Sequence, residues 1–469
     1  MNTALASQIV DVVIMAAGKG TRMKSSLPKV LHPVGGKPMV AHVLDTAQQL
    51  QARQVVVITG HEAEAVETWL RSHRPSVPAF ARQMPQLGTG HAVQQAVPHL
   101  PDDGTVVILS GDVPLTRPET LQALLATCAG QHLALLTVEL DDPSGYGRIV
   151  RDDQGQVRAI VEHKDATDAQ RRIREIYSGI MAVPTRLLKP WLAALRNDNA
   201  QQEYYLTDVV RMAVDAGVPV LTQLTQDPTE VAGVNSPAQL AELERALQWR
   251  QAQALMAQGV RLLDPARLDV RGRLHCGPDV VIDVNCVFEG EVHLGAGVRI
   301  GAHCVLANCR IDDGAVIHPF THIDGERAGV SVGAGALVGP FARLRPGTTL
   351  GAQVHIGNFV EVKNSQLADG AKANHLAYLG DATVGERVNY GAGSITANYD
   401  GANKHRTVIE ADVHIGSNCV LVAPVTIGAG GTVGGGSTIT KSTPAGALSV
   451  ARGKQVSIPN WQRPQKPKA

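Results

Sequence analysis

The chain has 469 residues, 43 Lys and Arg against 43 Asp and Glu, and only 3% aromatic side chains. That length provides for two or three domains with mainly aliphatic cores. The balanced charge excludes a global field for nucleic acid or a membrane surface, and no apolar run approaches the roughly 20 residues that span a bilayer.

The first ten residues, MNTALASQIV, carry no charged region ahead of a long apolar stretch, so no signal peptide is expected. Six scattered cysteines without a Cys-x-x-Cys pair point to reduced, mostly buried thiols in a cytoplasmic protein. An apolar run from Ile9 to Val13 then leads into IMAAGKGTRM, Ile14 to Met23. Glycine-rich turns after buried strands commonly cradle phosphate, because their backbone N–H groups can approach an anion closely. Gly18-Lys19-Gly20 does not fit a Walker loop, and Met23 stands where a dinucleotide fingerprint needs glycine. By itself the loop leaves a tight structural turn open.

Strand-like runs follow at Val55–Thr59, Val106–Ser110 and Leu133–Val138. They alternate with helical patterns such as Pro38–Gln49, where Val40, Val43, Leu44 and Ala47 share a face behind a first-turn proline. This alternation predicts an α/β domain with a largely parallel sheet, whose ligands collect at the carboxyl ends of the strands. The opening loop and Ser110-Gly111-Asp112 both stand at such ends. A helix is predicted over Ser236–Gln258, capped at Ser236-Pro237, with Leu240, Leu243, Leu247, Ala254 and Leu255 on its apolar face. It is expected to join the halves as a rigid strut.

Beyond it aliphatic residues recur every six positions: Ile282, Phe288, Leu294, Ile300 and Leu306, then Ile311, Ile317 and Ile323. The register resumes at Val332, Val338, Leu344, Leu350, Ile356 and Val362, and again at Ile409, Ile415, Leu421, Ile427, Val433 and Ile439. Such a hexapeptide period predicts a parallel β-helix in which every sixth side chain points inward. The polar stretch ANYDGANKHRTV, 397–408, breaks the period and is expected to loop out, where excursions are often functional.

The pairing of these halves, with AAGKGTRM, LPKVLH, QLGTGHA, GDVPL, DDPSGYGRI, VEHKDAT, GPFARLRPG, IGNFVEVK, NHLAYLGD and NYDGANKH, closely resembles one family. It is that of bifunctional N-acetylglucosamine-1-phosphate uridylyltransferase/glucosamine-1-phosphate N-acetyltransferase, which makes UDP-N-acetylglucosamine in bacteria. The resemblance covers nearly the whole chain except its start and the basic tail Arg463–Ala469. It implies a Rossmann-like nucleotidyltransferase domain over 1–235, a helical linker over 236–260 and a left-handed parallel β-helix acetyltransferase domain over 261–469. It also implies a cytoplasmic homotrimer acting on UTP, sugar 1-phosphates and acetyl-CoA, with acetyl-transfer sites at subunit interfaces.

For uridylyl transfer, the resemblance implies that Ala16, Ala17 and Gly18 hold UTP, with Arg22 and Lys29 as catalytic cations on its phosphates. Asp112 would hold Mg²⁺ together with Asn235. Gln83, Gly88 and Thr89 would surround the uracil, and Ser110 and Gly111 belong to the same site. Gly147, Glu162 and Tyr177 would surround the sugar phosphate. Ser110 stands where the family commonly has tyrosine, and Tyr177 where it commonly has asparagine; both changes bear on acceptor-sugar affinity.

For acetyl transfer, a base must take the proton of the attacking amine, and imidazole titrates near neutral pH. The resemblance assigns that role to His375. Arg345 and Lys363 would clamp the sugar phosphate, with Tyr378 and Asn389 on the sugar. Asn398 and Tyr399 would help build the acetyl site, while Ala392, Ser417, Gly435 and Arg452 would contact acetyl-CoA. Two other readings account for less of the sequence. A single-activity nucleotidyltransferase with a structural β-helix leaves His375, Arg345 and Lys363 idle. A hexapeptide metal site like that of carbonic anhydrases finds no ligand pattern among His303, His318, His322 and His355.

Overall fold

A computed structural model describes residues 8–464, which divide into two units at Leu247/Gln248. Residues 465–469 of the basic tail lie outside the described residues.

In the first unit, strands β1 (Val10–Ala16), β2 (Gln54–Thr59), β3 (Ala79–Arg82), β4 (Thr105–Ser110), β5 (Leu133–Glu139), β6 (Arg148–Arg151), β7 (Val157–Val161), β8 (Glu175–Pro184) and β9 (Val220–Leu224) form one sheet. Its order is β9-β5-β8-β4-β1-β2-β3, with the β6–β7 hairpin beside β8. Neighbours run parallel except around β8, which is antiparallel to both β4 and β5. The central β1 is buried on both faces: Val12 and Ile14 enter one core, Val13 the other. That explains its near-continuous apolar run, broken only at Asp11, as expected for a strand covered on two sides. Buried Asp11 sits among these residues because Arg53 meets its carboxylate with two hydrogen bonds, of 3.0 and 2.5 Å.

Two details differ from the sequence reading. Strand β1 continues through Ala16, so Ile14, Met15 and Ala16 belong to the sheet rather than to the loop. Pro38 is extended and pairs with Pro33, and the helix begins at Met39. Its carbonyl thus leads into the helix without the proline forming the first turn.

A single helix runs from Pro237 to Ala257, with the Ser236 hydroxyl accepting from Gln239 N–H at 3.3 Å. Leu243 and Leu255 are buried, Leu240 and Leu247 half-buried, but Ala254 is exposed. The helix serves two cores rather than one, since Leu243 packs in the first unit and Ala252 and Leu255 in the second. One continuous stripe is therefore the wrong pattern for it. Buried Gln248 caps an open strand edge: its amide donates to Val270 C=O at 2.9 Å and accepts from Val270 N–H at 2.7 Å.

The second unit is a parallel β-helix. One side is an 11-stranded ladder and the others form a continuous sheet that turns at the corners. Every hexad residue named above is at most 5% exposed. The period persists through 363–408, where Leu367, Ala373, Leu379, Val384, Tyr390 and Thr396 occupy the inward places. Small and polar members disguise it there. Residues 398–406 leave the coil between strands Ile395–Ala397 and Thr407–Ile409.

Candidate functional site

In the α/β unit, β1 ends at Ala16 and the Ala17 carbonyl accepts from His61 N–H at 3.2 Å and the Gln86 amide at 3.0 Å. Gly20 adopts a left-handed φ of 60°, and a Cβ there would lie 2.7 Å from the Lys29 Cβ. Glycine therefore lets the Lys29 segment pass close to the loop. Strand β4 ends beside it, with Gly111 N–H on Met15 C=O at 2.9 Å. Lys29 Nζ then lies 2.5 Å from Asp112 Oδ2 and 3.2 Å from Asn235 Oδ1. These three groups are 83 and 206 residues apart in the chain.

A cation thus already sits between a carboxylate and an amide oxygen. That donor set suits a hard divalent ion, which takes one or two protein oxygens and completes its shell with phosphate and water.

A cavity of about 450 Å³ is lined by Ala16, Ala17, Gly18, Lys29, Gln83, Gly88, Thr89, Ser110 and Asp112. A second, of about 260 Å³, is lined by Arg22, Ser110, Asp112, Ser178 and Asn235. Ser110 and Asp112 border both, so two ligands could meet at that wall. Buried Gly111 stands behind it. Gln83 is held by donating to Gly88 C=O at 2.9 Å, and Thr89 Oγ1 accepts from Leu206 N–H at 3.0 Å.

Gly147, Glu162 and Tyr177 gather with one another but line neither cavity. Tyr177 N–H donates to Gly147 C=O at 2.9 Å, and a Cβ on Gly147 would lie 3.7 Å from Glu162 Oε1. Burial, opposed by the Thr207 hydroxyl at 3.0 Å, pushes the Glu162 carboxyl above its ordinary value. Burial and then the nearby Glu162 push the Tyr177 phenol up, and its hydroxyl has no partner. Sequence reasoning missed Lys19, Gln86 and Glu203 in the larger cavity and Tyr146 and Gln239 in the smaller. Lys19 carried a signal from its place inside the glycine loop, Gln86 from QLGTGHA and Tyr146 from DDPSGYGRI; Glu203 and Gln239 carried none.

On the β-helix, His375 ends the strand Lys372–His375, opposite Asn358 one coil earlier. Its Nδ1 lies 3.0 Å from Asn358 Oδ1. With the Asn358 amide oxygen accepting, the neutral imidazole of exposed His375 carries its proton on Nδ1 and leaves Nε2 as an acceptor. Asn358 was not singled out by sequence, although it lies inside IGNFVEVK.

Lys363 is flanked by Lys404 and Arg345. The Lys404 ammonium, then burial, then the two neighbouring positive charges push the Lys363 ammonium below its ordinary value. Lys404 comes from the looped-out segment and was also missed. Arg345 is tethered to Glu361 at 2.8 Å. Buried Asp381 accepts from the Asn364 and Asn398 amides, each at 2.5 Å. Tyr378 and Asn398 crowd the Cα of Gly380, where any side chain would strike both. Tyr399 is exposed on the excursion, its hydroxyl donating to Gly401 C=O at 2.6 Å. Asp400 orders that loop by accepting from Ala402 N–H, Asn403 N–H and His405.

Ala392, Ser417, Gly435 and Arg452 follow His375 on successive coils. Asn418 N–H meets Ala392 C=O, Gly436 N–H meets Ser417 C=O, and Arg452 Nη1 reaches Gly435 C=O at 2.7 Å. Coils stack at the strand spacing of about 4.8 Å, so this column spans roughly 19 Å. Asn389 is exposed on the same ladder, opposite Lys372.

Among the described residues, no helix is long and apolar enough to cross a membrane. The MobA-like NTP transferase domain family matches residues 12–255, and six bacterial transferase hexapeptide repeats match residues 406–441. Bifunctional protein GlmU of Paracidovorax citrulli is 72% identical over 471 residues, covering 98% of this chain and 99% of that protein. Those of Polaromonas naphthalenivorans and Methylibium petroleiphilum are 73% and 68% identical, covering 97% and 98% of this chain and 98% and 100% of theirs.

Proposed function

The chain belongs to the bifunctional GlmU family, and from that premise we propose how its residues divide the work. It is a bifunctional transferase, with a nucleotidyltransferase unit and a hexapeptide acetyltransferase unit. Acetyl passes from acetyl-CoA to the amino group of glucosamine 1-phosphate, and the product then takes uridylyl from UTP and releases pyrophosphate.

In acetyl transfer, His375 Nε2 takes a proton as the amine attacks the thioester carbon. The C–N bond forms, the C–S bond breaks, and the thiolate recovers a proton. Asn358 holds the required tautomer, while Lys363, Lys404 and Arg345 receive the sugar phosphate and Tyr378 and Asn389 the sugar. Asn398 and Tyr399 bound the acetyl end, and acetyl-CoA lies along Ala392, Ser417, Gly435 and Arg452. The observation carrying this reading is the His375 Nδ1–Asn358 bond, which leaves Nε2 as the acceptor of the neutral ring.

In uridylyl transfer, UTP fills the larger cavity and the sugar phosphate enters the smaller, meeting at Ser110 and Asp112. Asp112 and Asn235 would hold Mg²⁺, which when bound neutralises phosphate charge. Lys29 and Arg22 stabilise the negative charge that builds on the transferring phosphate. Glu162 and Tyr177 act from behind the acceptor wall.

A cytoplasmic homotrimer completes the proposal. An exposed ring ladder supports an interface along one corner: His303, Phe320, Phe341 and Phe359 stack at 4.8, 4.9 and 5.4 Å, leading to exposed Leu376 beside His375. A lysine at Phe341 is expected to yield monomers by light scattering and to lower acetyl transfer alone; an unchanged trimer would remove this corner from the interface. The overall reading is tested by two assays on the purified protein, free-thiol release from acetyl-CoA and pyrophosphate release from UTP. Loss of either would refute it.

A further inference from the structure

We propose that the first coils of the β-helix carry a transition-metal site formed by His275, Glu291 and His293, separate from both transfer sites. Strands Leu268–Cys276 and Cys286–Leu294 run parallel in register, with Arg273 opposite Glu291 and His275 opposite His293. Side chains alternate across a strand, so these four share the outer face while Val292 and Leu294 turn into the core. The two imidazoles stack with centroids 4.6 Å apart and planes 10° from parallel.

Both rings converge on one oxygen. Glu291 Oε1 lies 2.7 Å from His275 Nε2 and 3.4 Å from His293 Nε2. The other oxygen, Oε2, accepts from Arg273 Nε at 2.7 Å. Arg273 therefore orients the carboxylate and leaves its free oxygen to the histidines, the part an outer-sphere partner plays at metal sites. All three ligand atoms fall within 4.8 Å of one another. Zinc bonds of about 2.0–2.2 Å in a tetrahedron separate ligand atoms by roughly 3.3–3.6 Å, a spacing that small side-chain rotations reach here. Sheet hydrogen bonds, not loops, set the distance between the two histidines.

Two imidazoles and one carboxylate select Zn²⁺, Co²⁺, Ni²⁺ or Cu²⁺ over Mg²⁺, which prefers an all-oxygen shell. The metal of the nucleotidyl site would thus not compete for this one. All three residues retain partial exposure, leaving room for water in the remaining positions. The nearest further cation on the ladder, Arg310 opposite His293, is turned to Asp312 at 2.9 Å. A bound ion would tie adjacent coils at the start of the solenoid.

The test is a Zn²⁺ titration of the full-length protein against a chelating dye in excess Mg²⁺, repeated on His275→Asn, His293→Asn and Asp112→Asn. The proposal expects a site that Asp112→Asn retains and that each histidine variant weakens at least tenfold. Co²⁺ should give the intense visible band of a four- or five-coordinate ion, lost in the histidine variants. Both transfer activities should survive in those variants, which also shows that they fold. Equal Zn²⁺ affinity in wild type and histidine variants, or a Co²⁺ spectrum unchanged by them, overturns the proposal.

Discussion

The two units reach their ligands in opposite ways. In the α/β unit the charges are already matched, with Lys29 between Asp112 and Asn235. In the β-helix like charges are held together, Lys363 against Lys404 and Arg345, with Glu361 on Arg345 and Asp381 near Lys363 offsetting them in part. On the proposed function, a metal and nucleotide would displace Lys29 in the first arrangement, and a phosphate would join the cations of the second. The scaffolds explain the difference. Strand ends feeding separate loops let distant residues converge and adjust, while stacked coils impose a fixed spacing that side chains must accept.

The most severe way to break this division is His375→Ala. Loss of the general base should lower acetyl transfer by about 10³-fold and leave uridylyl transfer unaltered; a parallel fall in both would end the two-site assignment. Asp112→Asn should do the reverse, reducing pyrophosphate release by roughly 10²-fold and weakening its Mg²⁺ dependence. Full activity at ordinary Mg²⁺ would take Asp112 out of the metal site. Asn358→Ala should lower kcat of acetyl transfer by about tenfold with KM for the sugar phosphate little changed, because it frees the imidazole tautomer without touching the cation cluster. A KM effect alone would instead make Asn358 a substrate contact.

The smallest expected effect concerns Glu162, whose carboxyl is held above its ordinary value by burial. Its ionised form is then the costlier one in the fold. Stability from this group is greatest below the unfolded value and declines as pH rises through the folded one. Glu162→Gln should therefore raise stability at pH 8 by less than about 1 kcal/mol, with little gain at pH 4, while weakening the acceptor. Thermal melts of the two proteins at both pH values measure it, and identical pH profiles would count against it.

How much could be read in advance differed between the units for the same physical reason. A solenoid repeats its environment every few residues, so period alone located Ile356, Leu421 and their kind inside. It faltered at Ala373, Tyr390 and Thr396, which fill inward places with atypical side chains. In the linking helix one apolar stripe was expected, but packing against two cores moved the buried face to Gln248 and Ala252 and exposed Ala254. The glycine loop was visible as a phosphate candidate, yet its first residues proved to be strand.

Sequence by itself determined the two fold classes, the inward face of most coils, and an excursion over 397–408 whose bounds the structure narrows to 398–406. Tertiary structure alone decided which side chains meet. Asn358 reaches His375 from 17 residues away because one coil returns the chain beneath itself. Lys404 reaches Lys363 only because the excursion folds back, and Asn235 joins Lys29 across 206 residues. Local patterns record whether a residue faces a core or solvent. They hold no record of which distant residue will share its space, since that is set by sheet order and coil stacking.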